Sequence, residues 1–512
     1  MLPCRLRPRV ALIVLLASVG CTQDAAPPSP THTLRFGWTE PVGTLEPPNA
    51  RGLADQQLLR LLYEGLTRGS SVGGLEPALA ERWESTDGRR WIFHLAPGRT
   101  FHDGTPVAAP HVAAAWTHLA RSMSASPVVR QLIPLVGLAD VMEGRADSIR
   151  GLVILDSLTL RLDLETPVAR LPLVLSRPEY LVKSPTSHAD QPVGSGMWRW
   201  ASGMPGDSVL RLVRADDRAP TGIDTLELRV TPATAVATAL RAGRIDCVDQ
   251  VVPTVRSELA LVSDVALDVT PSAGIARLVL RRSHPAFADV RVRQALAHAL
   301  DLDGIARGLV EADVIVSGSR VPLLLAPATA ARPARRYDPQ RARQLLAEAG
   351  VDTLTIRLSR LPYAFAGDTS RDFLASVRDY WQALGLTVEL VTPPDFWRGL
   401  IDGTVDVQPQ YVFPSFPDAV EFMINLYRPS GARPEVLLDE ADAGATYRAL
   451  LDEARRTMDS TTRAVRLRSA DSLLEAAAPD VMLWQVPLVS ARRRTVPSCA
   501  VGLITERASS AR

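Results

Sequence analysis

Strand and helix patterns alternate along this chain, and the alternation constrains its fold more than any other feature of the sequence. The stretch that begins at residue 276 starts as a predicted strand, because Leu278, Val279 and Leu280 form a short apolar run that is typical of a buried strand. After Pro285, apolar residues recur at helical spacing as far as residue 310. Asp289 is the predicted N-cap of this long helix, because its carboxylate can accept hydrogen bonds from the free backbone N–H groups of the first turn.

The same order of elements continues further along the chain. Asp338 and Pro339 have the pattern of an N-cap followed by the first helical residue. A strand is predicted over 354–358, a helix over 371–384 and a strand over 386–391. A β-α-β order implies parallel strand pairing with a right-handed crossover. The sequence therefore predicts an α/β protein with mixed sheets.

Length and composition limit the possible functions. The 512 residues suggest about three domains. Because 46% of the residues are hydrophobic and 22% are charged, the chain can bury a substantial core. The net charge of +1 argues against a nucleic-acid-binding face, which needs a strong basic excess.

The N-terminus has the pattern of a targeting segment. Residues 1–21 read as a signal peptide, with an arginine-rich start and an apolar stretch over 10–17 that is too short to anchor in a membrane. A small residue precedes Cys21, as in a bacterial lipobox, so we expect Cys21 to be lipidated. Ordinary signal cleavage is the alternative. Residues 22–30 are polar and proline-rich, and they would tether the protein to the membrane.

Two cysteines remain in the mature protein, Cys247 and Cys499. An oxidising compartment permits a disulfide between them, but spacing cannot show that they meet. We expect two buried free thiols rather than a bridge. Two cysteines also argue against a structural zinc site, and no metal site is predicted.

Several motifs follow the order of one protein family. They are Tyr63-Glu64-Gly65-Leu66, the block from Leu75 to Leu119 with its Phe101-His102-Asp103-Gly104-Thr105-Pro106 segment, Val193-Gly194-Ser195-Gly196-Met197-Trp198, and PAFADVRVRQALAHALD at 285–301. Together these motifs resemble the family 5 extracellular solute-binding proteins, which are the peptide- and nickel-binding receptors of ABC importers.

The resemblance implies a fold and a division into domains. The family fold is a two-lobed periplasmic-binding-protein clamshell of the class II type, with mixed sheets and an extra subsidiary domain. Two chain crossings, near residues 268 and 480, would form the hinge. The implied domains are lobe I from 31–52, 176–268 and 480–512, a subsidiary lobe II from 53–175, and lobe III from 269–479.

The resemblance also implies a ligand site. In peptide-binding members a cleft aspartate pairs with the α-ammonium group of the ligand, and here its position falls at Ser415, which carries no charge. Asp418 could substitute if the loop is shifted. Tyr411, Phe413 and Phe416 form an aromatic cluster that suits a pocket wall or ordinary core packing. The predicted ligand-binding residues are Glu40, Trp198, Tyr411, Phe413, Ser415 and Asp418.

His102 and Asp103 invite a catalytic or metal-binding interpretation. A lone His-Asp pair in a turn more often satisfies loop backbone groups, and no triad, zinc motif or carboxylate pair stands out elsewhere. The sequence therefore predicts no catalytic residues, no metal and no cofactor.

The predicted function is that of the substrate-binding component of an ABC transporter, which captures peptides or a related small solute in an interlobe cleft. It would deliver the solute to a permease in the inner membrane. The predicted protein is a monomer on the periplasmic or extracytoplasmic face, held to the membrane only by its lipid anchor. The alternatives are a receptor for nickel, a metal chelate or another non-peptide solute, a secreted hydrolase, and a receptor with a signalling role.

Overall fold

A computed structural model of the chain provides the structure. It describes residues 32–50, 52–69, 74–122, 134–188, 190–216, 218, 222–251, 253–309, 314–325, 332–360, 369–396, 398–413, 418–427 and 444–496. The predicted signal peptide, the tether, Cys21, Ser415, Phe416 and Cys499 lie outside these residues.

The strands include two that are much longer than the rest. They are β1 (Thr33–Trp38), β2 (Thr67–Gly69), β3 (Leu75–Pro77), β4 (Ala80–Glu84), β5 (Arg90–Leu95), β6 (Leu152–Asp156), β7 (Thr159–Asp163), β8 (Trp198–Ser202), β9 (Val209–Arg214), β10 (Thr225–Val230), β11 (Cys247–Val248), β12 (Val265–Leu280), β13 (Ile315–Val316), β14 (Thr355–Ser359), β15 (Thr387–Val391), β16 (Val407–Val412) and β17 (Asp480–Arg493).

The helices lie between and over the strands. They are α1 (Leu53–Leu62), α2 (Ala109–Ser122), α3 (Leu138–Met142), α4 (Leu171–Val174), α5 (Val236–Arg241), α6 (Pro253–Leu259), α7 (Pro285–Ala288), α8 (Val290–His298), α9 (Leu302–Leu309), α10 (Pro339–Glu348), α11 (Thr369–Gln382), α12 (Ala419–Tyr427), α13 (Gly444–Arg456) and α14 (Ser460–Ala477). Short 3-10 helices occur at Pro47–Asn49, Pro178–Tyr180 and Ala233–Ala235. Within the residues described, no helix is both long and apolar enough to cross a membrane.

One large mixed sheet connects most of the molecule, in the strand order β15-β14-β16-β12-β17-β11-β1-β10-β9-β8. At one end β1 runs parallel to β10 and β11, and at the other end β14 runs parallel to β15 and β16. The long antiparallel strands β12 and β17 pair with each other in the middle and join the two parallel groups. The mixed α/β architecture that the sequence predicts is therefore confirmed.

The ladder between β12 and β17 shifts register at two points, and the larger shift is an interruption near its centre. Thr270 pairs with Leu488 and Gly274 with Val486, so that three residues of β12 lie opposite Pro487 alone. Neither Pro271 nor Pro487 has a backbone N–H to donate to the ladder, which explains the register shift at this point.

Apolar side chains in the described parts of the chain are buried in separate clusters. One cluster lies between residues 66 and 182 around the four-stranded sheet β4-β5-β7-β6. Two clusters lie at the β1 end of the large sheet, and two lie between residues 275 and 484 at the β14 end. Helix α1 contributes to a β1-end cluster through Leu58 and Leu62, although the predicted lobe II begins at residue 53.

Most of the predicted elements form, and the differences have local causes. Asp289 and Asp338 accept from the backbone N–H groups of Arg291 (2.8 Å) and Arg341 (2.9 Å), so both predicted N-caps are confirmed. The predicted long helix after Asp289 is divided, because Asp301 accepts from the N–H of Gly304 (2.9 Å) and starts α9 as a new helix.

The prediction of two free thiols is wrong for Cys247. This residue, which is fully buried in β11, is disulfide-bonded, and its partner lies outside the described residues. The bond is consistent with the oxidising compartment inferred from the N-terminal pattern. Spacing along the sequence carried no information on this pairing.

Candidate functional site

The topology places a candidate cleft at the crossing strands β12 and β17, with one wall of the cleft on each side of them. In open α/β sheets, ligands bind outside the carboxyl ends of parallel strands. The segments that follow β1 and β11 lie on one side of the crossing, and the segment that follows β16 lies on the other. Side chains on these segments are therefore the candidates for ligand contact.

Glu40 lies two residues beyond the end of β1 and is exposed. Its Oε1 accepts a hydrogen bond from the backbone N–H of Ala54 (3.2 Å) in the first turn of α1. A carboxylate at this position stabilises the positive end of the helix. Glu40 is thus on the predicted side of the cleft, where it also serves as part of the local structure.

Tyr411 and Phe413 lie at the end of β16, where this strand pairs with β12. Both side chains are about two-fifths exposed, at 38% and 41%. The Phe413 ring lies against Gly274, and a Cβ at that glycine would be 2.4 Å from Cε1 of the ring. The backbone of β12 therefore leaves the space that the ring occupies, next to the register shift.

Asp418 is 2% exposed and already has partners. It caps α12 by accepting from the N–H of Glu421 (2.9 Å), and its Oδ2 lies 2.6 Å from Arg463 and 3.7 Å from Arg170. Burial alone would raise the pKa of Asp418, but the charges of Arg463 and Arg170 outweigh burial and keep the pKa below its ordinary value. The carboxylate of Asp418 therefore already binds two arginines and the N-terminus of α12.

Of the two remaining predicted site residues, the structure describes one. Trp198 is fully buried in the core that contains β1 and α1. Ser415 lies outside the described residues. The structure thus brings Tyr411 and Phe413 together, places Glu40 across the crossing strands and buries Trp198 and Asp418. The ligand-binding role of all six residues stays a prediction.

Asp249 is a residue at the cleft that the sequence did not single out. It directly follows β11, and its Oδ2 accepts from the side-chain amide of Gln57 in α1 (2.5 Å). Burial raises the pKa of Asp249 to about 6, although the hydrogen bond from Gln57 acts in the opposite direction. The local signal for this residue is only that it directly follows a short buried strand.

Three of the motifs meet away from the cleft, where the four-stranded-sheet region joins α1. The backbone N–H of His102 donates to Gly194 O (2.7 Å), that of Gly194 donates to His102 Nδ1 (3.3 Å), and His102 Nε2 lies 2.8 Å from Gly196 O. This pattern fits a neutral imidazole with its proton on Nε2. Burial lowers the pKa of His102 and favours the same neutral form.

The two glycines of this junction lie against the end of α1. A Cβ on Gly194 would be 2.0 Å from Leu62 O, and one on Gly196 would be 2.2 Å from Leu61 O. Glu64 completes the junction by pairing with Arg99 and with Arg218 (2.9 Å). These motif residues therefore serve to connect two parts of the fold, as the turn interpretation of His102 predicted.

The arrangement of strands is found in a solved binding protein. NikA from Brucella suis in complex with Fe(III)-EDTA superposes with a TM-score of 0.76 at 21% sequence identity, over 93% of this chain and 98% of that chain. The fold is therefore that of the two-lobed periplasmic binding proteins.

The family follows from the sequence match. The model of the bacterial extracellular solute-binding proteins, family 5 Middle, matches residues 74–434. The chain belongs to this family of solute-binding proteins, as the motifs predicted.

Two characterised relatives align over most of the chain. The probable deoxycholate-binding periplasmic protein YgiS of Escherichia coli is 25% identical over 504 residues, which cover 90% of each chain. The periplasmic oligopeptide-binding protein OppA of Salmonella typhimurium is 26% identical over 394 residues, which cover 72% of each chain. The names of these two relatives thus refer to solutes of different chemistry.

Proposed function

We propose that this protein is the receptor of a bacterial ABC importer, which captures a peptide or a related small solute between two lobes and delivers it to an inner-membrane permease. The observation that carries the proposal is the pair of crossing strands β12 and β17, with carboxyl ends of parallel strands on either side. A cleft at such a crossing can close around a ligand by rotation of the lobes.

The lobes of the proposed receptor follow the boundaries that the resemblance implies, with one change. Lobe I comprises 31–52, 176–268 and 480–512, lobe II comprises 53–175 and lobe III comprises 269–479. The packing of α1 against β1 supports moving the start of lobe II to about residue 63. The interruption of the ladder between Thr270 and Gly274 supports a hinge at this point.

The proposed location is the extracytoplasmic face of the cell membrane. The periplasmic relatives support it, and so does the basic and apolar pattern of residues 1–21. A lipid on Cys21 would hold the monomeric receptor near its permease, with residues 22–30 as the tether. Mass spectrometry of the N-terminal peptide from the native host tests this lipid directly.

The proposed ligand class is supported by the oligopeptide-binding relative and by the aromatic pair Tyr411 and Phe413. A peptide offers apolar side chains for such a wall together with charged ends. The metal-chelate alternative is supported by the fold likeness to NikA alone, which is a likeness of fold at 21% identity.

Native mass spectrometry of the protein purified without denaturation tests the proposal. We expect a co-purified peptide, or a thermal stabilisation by a tripeptide library that reaches several degrees at saturating ligand. Deoxycholate and nickel or iron chelates are the comparison ligands. Stabilisation by one of these, with no effect of any peptide, would overturn the peptide assignment.

A further inference from the structure

Carboxylates that this chain withdraws from water are commonly paired with arginine. Asp480 lies 2.9 Å from both Arg277 and Arg320, and Asp406 lies 2.8 Å from Arg357. A desolvated carboxylate without a cation is unfavourable, so such pairing is the expected arrangement. A carboxylate that departs from it therefore calls for an explanation.

Asp249 departs from this arrangement. The described residues contain no ion pair to its carboxylate, and its side-chain partner is the neutral amide of Gln57. The burial that raises its pKa to about 6 is offset only by the Gln57 hydrogen bond and by the backbone N–H groups of residues 249 and 250. At neutral pH the group is therefore mainly ionised, and no cation on a described side chain pairs with it.

Asp249 directly follows β11, on one side of the candidate cleft. In the parallel pair, Gly37 of β1 lies opposite Val248, so Asp249 is the first residue beyond the strand. Two residues later, the N–H of Val251 donates to Val489 O (2.7 Å) in β17. Val489 itself lies next to the point where the ladder with β12 is interrupted.

The opposite side of the same crossing carries the aromatic pair. Phe413 lies against Gly274, the residue that resumes the interrupted ladder. Asp249 and Phe413 therefore lie on either side of the interruption, one at the end of β11 and one at the end of β16. This is the arrangement expected when one wall of a cleft is charged and the other is apolar.

Other described carboxylates of this region have roles in the local structure. Glu40 accepts from the N-terminus of α1, and Asp418 is paired with two arginines. Asp55 accepts from three backbone N–H groups, which belong to Gly43, Thr44 and Gly52. Among these four described residues, Asp249 is therefore our candidate for an external cation.

We propose that Asp249, oriented by Gln57, receives the cationic amine of the ligand, in the role that Ser415 cannot perform. The proposal rests on the proposed peptide function and names the ligand class more closely, as peptides with a free α-ammonium group. The ligand amine would supply the missing counter-charge, and a charge-assisted hydrogen bond of this kind changes affinity by about ten- to a hundredfold.

A thermodynamic cycle tests the proposal by calorimetry at pH 7.5. The probes are the tightest-binding member of a tripeptide library with free termini and its N-acetyl derivative. For the wild-type protein, acetylation should weaken binding by about ten- to a hundredfold. Asp249→Asn keeps an acceptor for Gln57 and should lose a similar factor for the free amine, and acetylation should then have almost no further effect.

Asp264→Asn is the matched control, because it removes the same charge from an exposed position just before β12. This variant should keep both the affinity and the full penalty of acetylation. An equal penalty in Asp249→Asn and in the wild-type protein would overturn the assignment of Asp249, while the peptide function would stand. A library with no member that binds the wild-type protein would overturn the peptide function itself, and the assignment with it.

A second measurement on the wild-type protein applies if Asp249→Asn does not fold. The affinity for the free-amine peptide should fall as pH decreases below about 6, since the carboxyl is then neutral. The affinity for the N-acetyl peptide should stay constant over the same range. Equal pH profiles for the two peptides would contradict the proposal.

Discussion

At the scale of single residues, His102 shows how a side chain with catalytic chemistry can serve the backbone. Its Nδ1 accepts from the N–H of Gly194 and its Nε2–H faces the carbonyl of Gly196, and the first of these contacts needs the neutral imidazole. Protonation would place a second N–H opposite the N–H of Gly194. The junction between the motifs should therefore weaken in acid.

We expect the stability of the protein to fall as pH decreases from 7.5 to 5.5, in part through His102. Burial lowers the pKa of His102 in the folded protein, so the unfolded chain, with a pKa of about 6.5, binds more protons in this range. His102→Gln should lower the free energy of unfolding by about 1–2 kcal/mol at pH 7.5, because the Gly194 N–H loses its acceptor. Its stability should decline less steeply towards pH 5.5, as measured by thermal unfolding.

His118→Gln is the control for this prediction. His118 is exposed on α2, so its substitution should leave the slope of stability against pH unchanged. Parallel pH profiles of wild-type protein and His102→Gln would show that protonation of His102 is not linked to unfolding.

The residue scale is also where prediction from the sequence was weakest. Asp249 and Asp418 are both aspartates near strand or helix ends, and nothing local distinguishes them. Their difference comes from partners that are distant in sequence: Arg463 and Arg170 for Asp418, and Gln57 for Asp249. Only the folded chain can reveal such a difference.

At the scale of elements, the sequence predicts where helices start better than how long they are. Asp289 and Asp338 mark helix starts because a carboxylate is an effective cap wherever it occurs. Residues 448–475 have a helical pattern, but they form α13 and α14, because Asp459 accepts from the N–H of Thr462 (2.7 Å) and begins a new helix. A cap inside a helical pattern is the local signal of such a division.

The length of β12 was underestimated for a different reason. The prediction began at Ala276, just before the apolar run of residues 278–280, but the strand begins at Val265. Residues 265–275 contain Pro271 and Gly274 and do not form a continuous apolar run, so their extended conformation depends on pairing with β17. Pairing between distant segments cannot be seen in a local pattern.

We expect Gly196→Ala to destabilise the junction of the motifs strongly. Its Cβ would lie 2.2 Å from Leu61 O and 2.6 Å from the carbonyl carbon of Leu62, so the backbone at the end of α1 must move. Overpacking of this kind costs on the order of 1–3 kcal/mol, or more where backbone is involved. Thermal unfolding should show a decrease of several degrees in the midpoint.

Gly308→Ala serves as the matched control, since a Cβ there meets no atom within 4 Å. This glycine lies inside α9, where alanine is favoured by up to about 1 kcal/mol. The midpoint should therefore stay the same or rise. A similar loss in both variants would mean that the loss of glycine itself, and not the contact with α1, is responsible.

At the scale of the whole molecule, the proposed lobes II and III touch directly. Arg170 Nε lies 3.7 Å from Asp418 Oδ2, and the backbone N–H of Ala169 donates to Arg455 O (3.0 Å). Lobe II therefore contacts lobe III as well as lobe I. We expect the spacing of the lobes to depend in part on this contact.

We expect Arg170→Gln to widen the ligand-free molecule without unfolding it. Asp418 keeps Arg463 at 2.6 Å, so the variant should lose about 1 kcal/mol or less of stability. Small-angle X-ray scattering should show a larger radius of gyration for the ligand-free variant than for the wild-type protein. The two radii should approach each other when ligand is bound.

Arg150→Gln, an exposed substitution in the same lobe, should scatter like the wild-type protein. If Arg170→Gln and wild-type protein give the same radius without ligand, this contact does not set the spacing of the lobes.

The paired prolines at the centre of the crossing strands have a mechanical consequence. Two hydrogen-bonded strands resist stretching and sliding, because either motion would break many hydrogen bonds at once. Where backbone hydrogen bonds are missing from the ladder, the two strands can twist at little cost. Pro271 and Pro487 remove donors at the same level, where Ser272 Oγ contacts Val486 O across the gap. We therefore expect the soft motion of the molecule to be a rotation of the proposed lobes about this point. A permease that contacts both lobes could thus distinguish the empty receptor from the loaded one by a single angle.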